Sequence, residues 1–144
     1  MQEITNYVGY LFVQVMKLHR KLAETGLNDF GLYVGQELIL LWLYEQDGMT
    51  QSELADVLFV EAPTVTKGLQ RMEATGLIER RQDSGDARVS RVYLTPKSRQ
   101  LIEPLRGLWA EVEQKTIKGL SEPEVMLLRR LLLQILENLS DGKV

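Results

Sequence analysis

The stretch "TQSELADVLFVEAPTVTKGLQRMEATGLIERRQDSGDARVSRVYL", residues 50–94, carries the signals on which the fold reading turns. Thr50 followed by Glu53 is a capping box, which satisfies amide donors that a helix start otherwise leaves open, so a short helix is expected from there to about Leu58. "FVEA" turns the chain. Pro63 is tolerated in a first helical turn, where its missing N–H would have no partner, and Gly76 is a natural stop, so a second helix is expected between them. Val65, Leu69 and Met72 recur at i, i+4 and i+7 and mark its buried face. Thr64, Thr66, Lys67, Gln70 and Arg71 are left on the other sides. The two threonines are poor helix formers on a face that packing does not dictate, which points to another use. "LIERR" and "RVSRVYL" then read as two short strands around the turn "QDSGDA".

Two short helices joined by a tight turn and followed by a hairpin make a winged helix-turn-helix, and the physics of that arrangement suits DNA. A helix fits the major groove, where hydroxyl, amide and cationic side chains reach base edges and phosphates. A hairpin bearing Arg80, Arg81, Arg88 and Arg91 can follow the neighbouring backbone or enter the minor groove, whose negative potential attracts a guanidinium. The net charge of −3 does not oppose this, because the charge is polarised. Residues 60–100 carry eight basic groups against five acidic ones, and the rest carries nine against fifteen.

Outward from this stretch the chain reads as helical. Residues 4–24 place Leu11, Val15, Leu18 and Leu22 at helical spacing, with His19 on the apolar side, and Gly26 is expected to end that helix. An apolar helix over 35–46 follows the loop "GLNDFGLYVG", Asp47-Gly48 stops it, and Met49 reads as a very short strand. Thr95-Pro96 opens a long helix expected to reach about residue 119, and Ser121 with Glu124 launches a last helix to about Leu139. That last helix is apolar around most of its circumference, more than one chain of 144 residues can bury, so a partner subunit is expected to cover it. The fold class is mainly α (α+β). The chain reads as one domain, 1–144, with a winged-helix lobe at 33–99 and dimerisation helices at 1–32 and 100–144.

Composition closes other routes. With no cysteine there are no disulfides, thiolate zinc sites, iron–sulfur clusters or thiol switches, and the single histidine, His19, gives no basis for a His-rich metal site. Catalytic residues, metal and cofactor are therefore all read as none, since no nucleophile–base pair, metal cluster or phosphate loop is visible. No apolar run reaches about 18 residues, so no membrane span is expected. Glu3 sits where a signal peptide wants positive charge, which points to a cytoplasmic protein.

The run "SELADVL…PTVTKGLQRMEATGLIERRQDSGDARVSRVYLTPKSR" resembles the MarR family of transcriptional regulators, most specifically in "VTKGLQRMEATGLIERR" and in Asp86-x-Arg88 followed by "YLTPKSR". The resemblance implies a homodimer of interlocked terminal helices that binds a double-stranded, pseudo-palindromic operator, commonly as a repressor. It places Pro63, Thr64, Thr66, Lys67, Gln70 and Arg71 on the recognition helix and Arg88 at the wing tip. Asp86 becomes the carboxylate that positions the wing, and Arg91 joins the DNA-contacting set. It also implies a small aromatic, anionic or lipophilic effector near the dimer helices. His19 and Trp42 are candidates to line that pocket, each with a core or interface role as the plainer alternative. The pattern is broken by Phe59 and Glu61 where glycine and serine are frequent, by Ala87 in place of a wing arginine, and by Ser98 in place of glycine. Glu61 would repel phosphate, which leaves a winged-helix protein-interaction module without DNA binding as the rival expectation.

Overall fold

The structure, a computed structural model, describes residues 3–142. After a 3-10 turn at Ile4–Asn6 come α1 (Val8–Asn28) and α2 (Gln36–Glu45), then β1 (Met49–Thr50) and α3 (Gln51–Leu58). They are followed by α4 (Ala62–Ala74), β2 (Ile78–Gln82), β3 (Ser90–Leu94), α5 (Pro96–Arg99), α6 (Ile102–Thr116) and α7 (Glu122–Leu139). The chain is mostly helical with a small antiparallel sheet of strand order β1-β3-β2. Two compact units are distinguished, Met1–Val112 and Glu113–Val144.

In the first unit one apolar core gathers Leu40 and Leu43 of α2, Leu54 of α3, Leu69 and Met72 of α4, Val92 of β3 and Leu105 of α6. At roughly 1.5–3 kcal/mol for each fully buried aliphatic side chain, this core is what holds the helix-turn-helix to its hairpin. The Thr50–Glu53 capping box forms as its spacing predicts, with both reciprocal bonds present (2.8 and 3.1 Å). The hairpin register pairs Arg80 with Val92 and Arg81 with Arg91. β1 adds two residues on the far side, Met49 opposite Val92 and Thr50 opposite Arg91.

Two departures from the sequence reading have physical causes. Gly26 does not end the first helix, which runs on to Asn28. A Cβ there would stand 2.2 Å from Leu108 Cδ1, so this glycine serves a close approach to α6. The helix expected from Pro96 to about 119 is broken into α5 and α6. Pro104 has no N–H for the Gln100 carbonyl and its ring would collide with that carbonyl, but it fits the first turn of a new helix beginning at Ile102. Phe59, which stands where glycine is frequent in the resembled family, closes α3 in the left-handed region at φ 52°, a conformation that costs a side-chain-bearing residue about 1–2 kcal/mol.

Ser98, the other glycine replacement, is fully buried and completes a capping box with Thr95 (3.1 and 3.2 Å). The Thr95 hydroxyl also donates to the Gly76 carbonyl at 2.7 Å, tying α5 to the end of α4.

The second unit is dominated by α7, with Glu124 accepting from the Ser121 N–H at 2.7 Å at its start. None of its residues is buried within the chain, and Leu127, Leu131, Leu132, Leu133 and Leu136 all stand exposed. Among the described residues no helix is long and apolar enough to cross a membrane.

Candidate nucleic-acid interface

α4 is set by its buried stripe. Val65, Leu69 and Met72 all point into the core, and that fixes which residues face outward. Pro63, Thr64, Lys67, Gln70 and Arg71 are exposed on its outer sides. Thr66 is half-buried, and its hydroxyl donates to the Ala62 carbonyl at 3.0 Å. Pro63 sits in the first turn and Glu61 precedes it at the cap without a side-chain capping bond. Neither Lys67 nor Arg71 has an ion-pair partner among the described residues.

The hairpin is different, because each of its arginines is held. Arg80 forms a two-point pair with Glu73 of α4 (3.0 and 3.1 Å), and the hydrogen bonds from Arg80 hold the Glu73 carboxyl below the usual glutamate range. Arg81 pairs with Glu79 and lies over the Tyr93 ring, 4.5 Å from its centroid. Arg91 donates to Asp83 at 2.5 Å and to the Gly48 carbonyl at 2.8 Å.

Arg88 projects from the wing with 91% of its side chain exposed. It donates twice to the Asp86 carboxylate, from Nε (3.1 Å) and Nη2 (3.3 Å), and its backbone N–H donates to the same group at 3.0 Å. These bonds hold Asp86 below the usual aspartate range, with the side-chain bond the larger cause. A pair so exposed is weak, because solvent screens it, so Arg88 can exchange Asp86 for a phosphate at little cost.

The two candidate effector residues lie apart from each other's surroundings. His19 lies against Trp109, with centroids 6.0 Å apart and the rings tilted at 47°. Trp42 is 40% exposed on α2, so it is not a core aromatic. An apolar cavity of about 380 Å³ lies elsewhere, between the start of α2 and α4. Val34, Leu38, Ile39, Leu58, Val60 and Val65 form its apolar walls, while Tyr33, Gln36, Thr64, Lys67 and Arg71 supply its polar edge. Neither His19 nor Trp42 lines it. Sequence reading missed this space because its walls come from residues scattered over 33–71, with no periodic signal joining them.

A recognition-type helix with an unpaired cationic face, set beside an arginine-bearing wing, defines a winged helix-turn-helix protein. The MarR family sequence model matches residues 32–90, the segment running from the entry to α2 through the wing. The chain is 32% identical over 117 residues to the uncharacterized HTH-type transcriptional regulator YwoH of Bacillus subtilis (strain 168), spanning 81% of this chain and 85% of that one. Among solved structures it is similar to the S. aureus MepR–DNA complex, with TM-score 0.86, 30% identity, and coverage of 92% and 98% of the two chains. It is also similar in fold to Bordetella bronchiseptica BpsR, with TM-score 0.88, 24% identity, and coverage of 94% and 96%. That structure concerns regulation of BpsR's DNA binding by 6-hydroxynicotinic acid. The chain belongs to the MarR family of transcriptional regulators, and these relatives are regulators, not enzymes.

Proposed function

We propose that this chain acts as a homodimeric, operator-binding regulator, most simply a repressor, of the cytoplasm. The observation that carries the DNA-binding reading is the contrast in pairing. The acidic side chains of the winged lobe neutralise the hairpin arginines and leave Lys67 and Arg71 of α4 unpaired beside Thr64 and Gln70. Cations kept free on an exposed helix face are suited to phosphates and base edges in a major groove. Arg88 extends the contact to the neighbouring groove. The MepR complex with DNA supports the same use of this architecture.

The exposed leucines of α7 are apolar surface that a second copy would cover, and Val8, Leu11, Val15 and Leu18 of α1 are such surface on the first unit. A dimer would set two recognition helices about 34–36 Å apart along the duplex, one helical turn. On this reading residues 33–99 contact DNA, while 1–32 and 100–144 dimerise.

The cavity beside α4 suits an apolar organic anion, because its walls are aliphatic and Lys67 and Arg71 stand at its edge. Such a ligand would engage the cations proposed for DNA, so binding of one disfavours the other. Regulation of BpsR by a hydroxynicotinic acid favours this kind of effector.

The test is duplex selection from a random pool, followed by affinity measured against salt. Log affinity is expected to fall linearly with log salt, and Arg88→Ala to weaken binding and reduce the slope by about one. A folded protein that binds no duplex at low salt sinks the regulator reading. Adding a series of aromatic carboxylates should raise Tm and release the duplex. No effect of any of them on either quantity removes the effector from the proposal.

A further inference from the structure

Arg91 occupies the middle strand of the sheet, opposite Arg81 of β2 and Thr50 of β1. Its guanidinium works in two directions. Nε donates to Asp83 Oδ1 in the wing turn (2.5 Å), and Nη1 donates to the Gly48 carbonyl in the turn between α2 and β1 (2.8 Å). The other oxygen of Asp83, Oδ2, accepts the N–H groups of Gly85 (3.0 Å) and Asp86 (3.1 Å). Asp83 also donates its own N–H to the Val89 carbonyl at 2.9 Å, closing the turn. Asp86 in turn holds Arg88. A continuous line of bonds therefore runs from the body of the helix-turn-helix, through Arg91 and Asp83, to the residue at the wing tip.

Burial separates the two arginines. The Arg91 side chain is 37% exposed and its Asp83 partner 22%, against 91% for Arg88. Turning Arg91 toward a phosphate would strip Asp83 of its cation and leave the Gly48 carbonyl without that donor, so the new contact would have to replace two bonds, one of them charge-assisted.

We propose that Arg91 is a positioning residue and not a phosphate contact: it braces the wing turn against the α2–β1 turn and so sets where Arg88 meets DNA. The proposal rests on the DNA-binding reading for its effect on affinity, but the brace itself is a property of the free protein.

The two roles differ in how Asp83 and Arg91 combine. If Arg91 met phosphate directly, its loss would cost affinity beyond whatever Asp83→Ala costs through the Gly85 and Asp86 turn bonds, so the double variant would be worse than Asp83→Ala. The brace instead predicts that Asp83→Ala weakens binding about tenfold, the scale of one lost charge-assisted bond. Arg91→Ala should match it, and the double variant should be no worse than either single one. Arg91→Lys keeps the charge but cannot span both acceptors, so it should behave as Arg91→Ala.

Amide hydrogen exchange of the free protein supplies the second readout. Arg91→Ala and Arg91→Lys should speed exchange at Gly85 and Asp86 while the β2–β3 ladder amides stay near wild type. Tighter or unchanged binding in Asp83→Ala overturns the proposal, as does a double variant worse than Asp83→Ala or retained affinity in Arg91→Lys. If the wild-type protein binds no duplex, the regulator reading fails, and exchange alone decides. Faster exchange at Gly85 and Asp86 then keeps the brace, and unchanged exchange removes it.

Discussion

The recognition helix and the wing present their cations by opposite means. On α4 the acidic side chain available, Glu73, is drawn away to Arg80 of β2, and Lys67 and Arg71 stay unpaired. In the wing each arginine is matched to a nearby acid: Arg81 to Glu79, Arg88 to Asp86, Arg91 to Asp83. A helix is rigid through its backbone bonds and needs no side-chain bracing to aim a cation. A two-stranded hairpin is only marginally stable alone and must be tied down by side chains. Apart from Arg88 at its exposed tip, the wing commits its charge to its own shape, and α4 keeps its charge for a partner.

The most severe test of that contrast is to remove the free pair. Lys67→Ala with Arg71→Ala should cost about 100-fold in duplex affinity at physiological salt and lower the salt slope by about two, with Tm unchanged. If Arg81→Ala costs as much, pairing is no guide to which cations meet DNA and the comparison fails.

Glycine substitutions probe how firmly α4 is held, on a scale of about 1–2 kcal/mol. Gly68 lies on α4 with nothing within 4 Å of the place a Cβ would take, so Gly68→Ala should gain helix propensity of up to about 1 kcal/mol. A Cβ on Gly26 of α1 would meet Leu108 at 2.2 Å, and Leu108 packs against the core, so Gly26→Ala should lose what the helix gains or more. Urea unfolding of both variants measures the difference directly. Equal stabilisation of the two would mean that Leu108 moves aside freely.

These glycines also show what the sequence could disclose. Local chemistry was legible: the Thr50–Glu53 and Ser121–Glu124 boxes, the stripe of Val65, Leu69 and Met72, and both strands. Each of those signals lies within a few residues of its effect. Gly26 misled because its partner, Leu108, is remote in sequence, and nothing local separates a packing glycine from a stop. Pro104 did carry a local signal for the break between α5 and α6, which the reading from Thr95-Pro96 alone passed over. At the candidate site the outward residues of α4 were legible from periodicity. The link from Arg91 to Gly48 was not, since it spans strands whose register only the folded sheet defines.

The smallest expected effect sets Glu37 against the wing acids. Glu37 is 2% exposed at the start of α2, among Ala23, Leu27, Leu108 and Trp109, and its carboxylate accepts the Gly35 N–H at 2.7 Å. Burial pushes its pKa above the usual glutamate value, with its own N–H and that of Gly35 pulling the other way. Asp83 and Asp86 are shifted oppositely, chiefly by the Arg91 and Arg88 side chains. A raised carboxyl contributes stability that is fully present below the ordinary glutamate pKa and is lost as pH rises through the folded value. A lowered one contributes stability that is present above the ordinary aspartate pKa and is lost as pH falls through the folded value. Glu37→Gln keeps a carbonyl acceptor for Gly35 and carries no charge, so it should melt above wild type at neutral pH. That advantage should vanish as pH falls below the ordinary glutamate value. Asp83→Asn should do the reverse, melting below wild type at neutral pH and converging on it in acid. Melting curves of both variants across that range decide the matter: a Glu37→Gln protein less stable than wild type at neutral pH would mean that the buried carboxylate is held by contacts stronger than its burial cost.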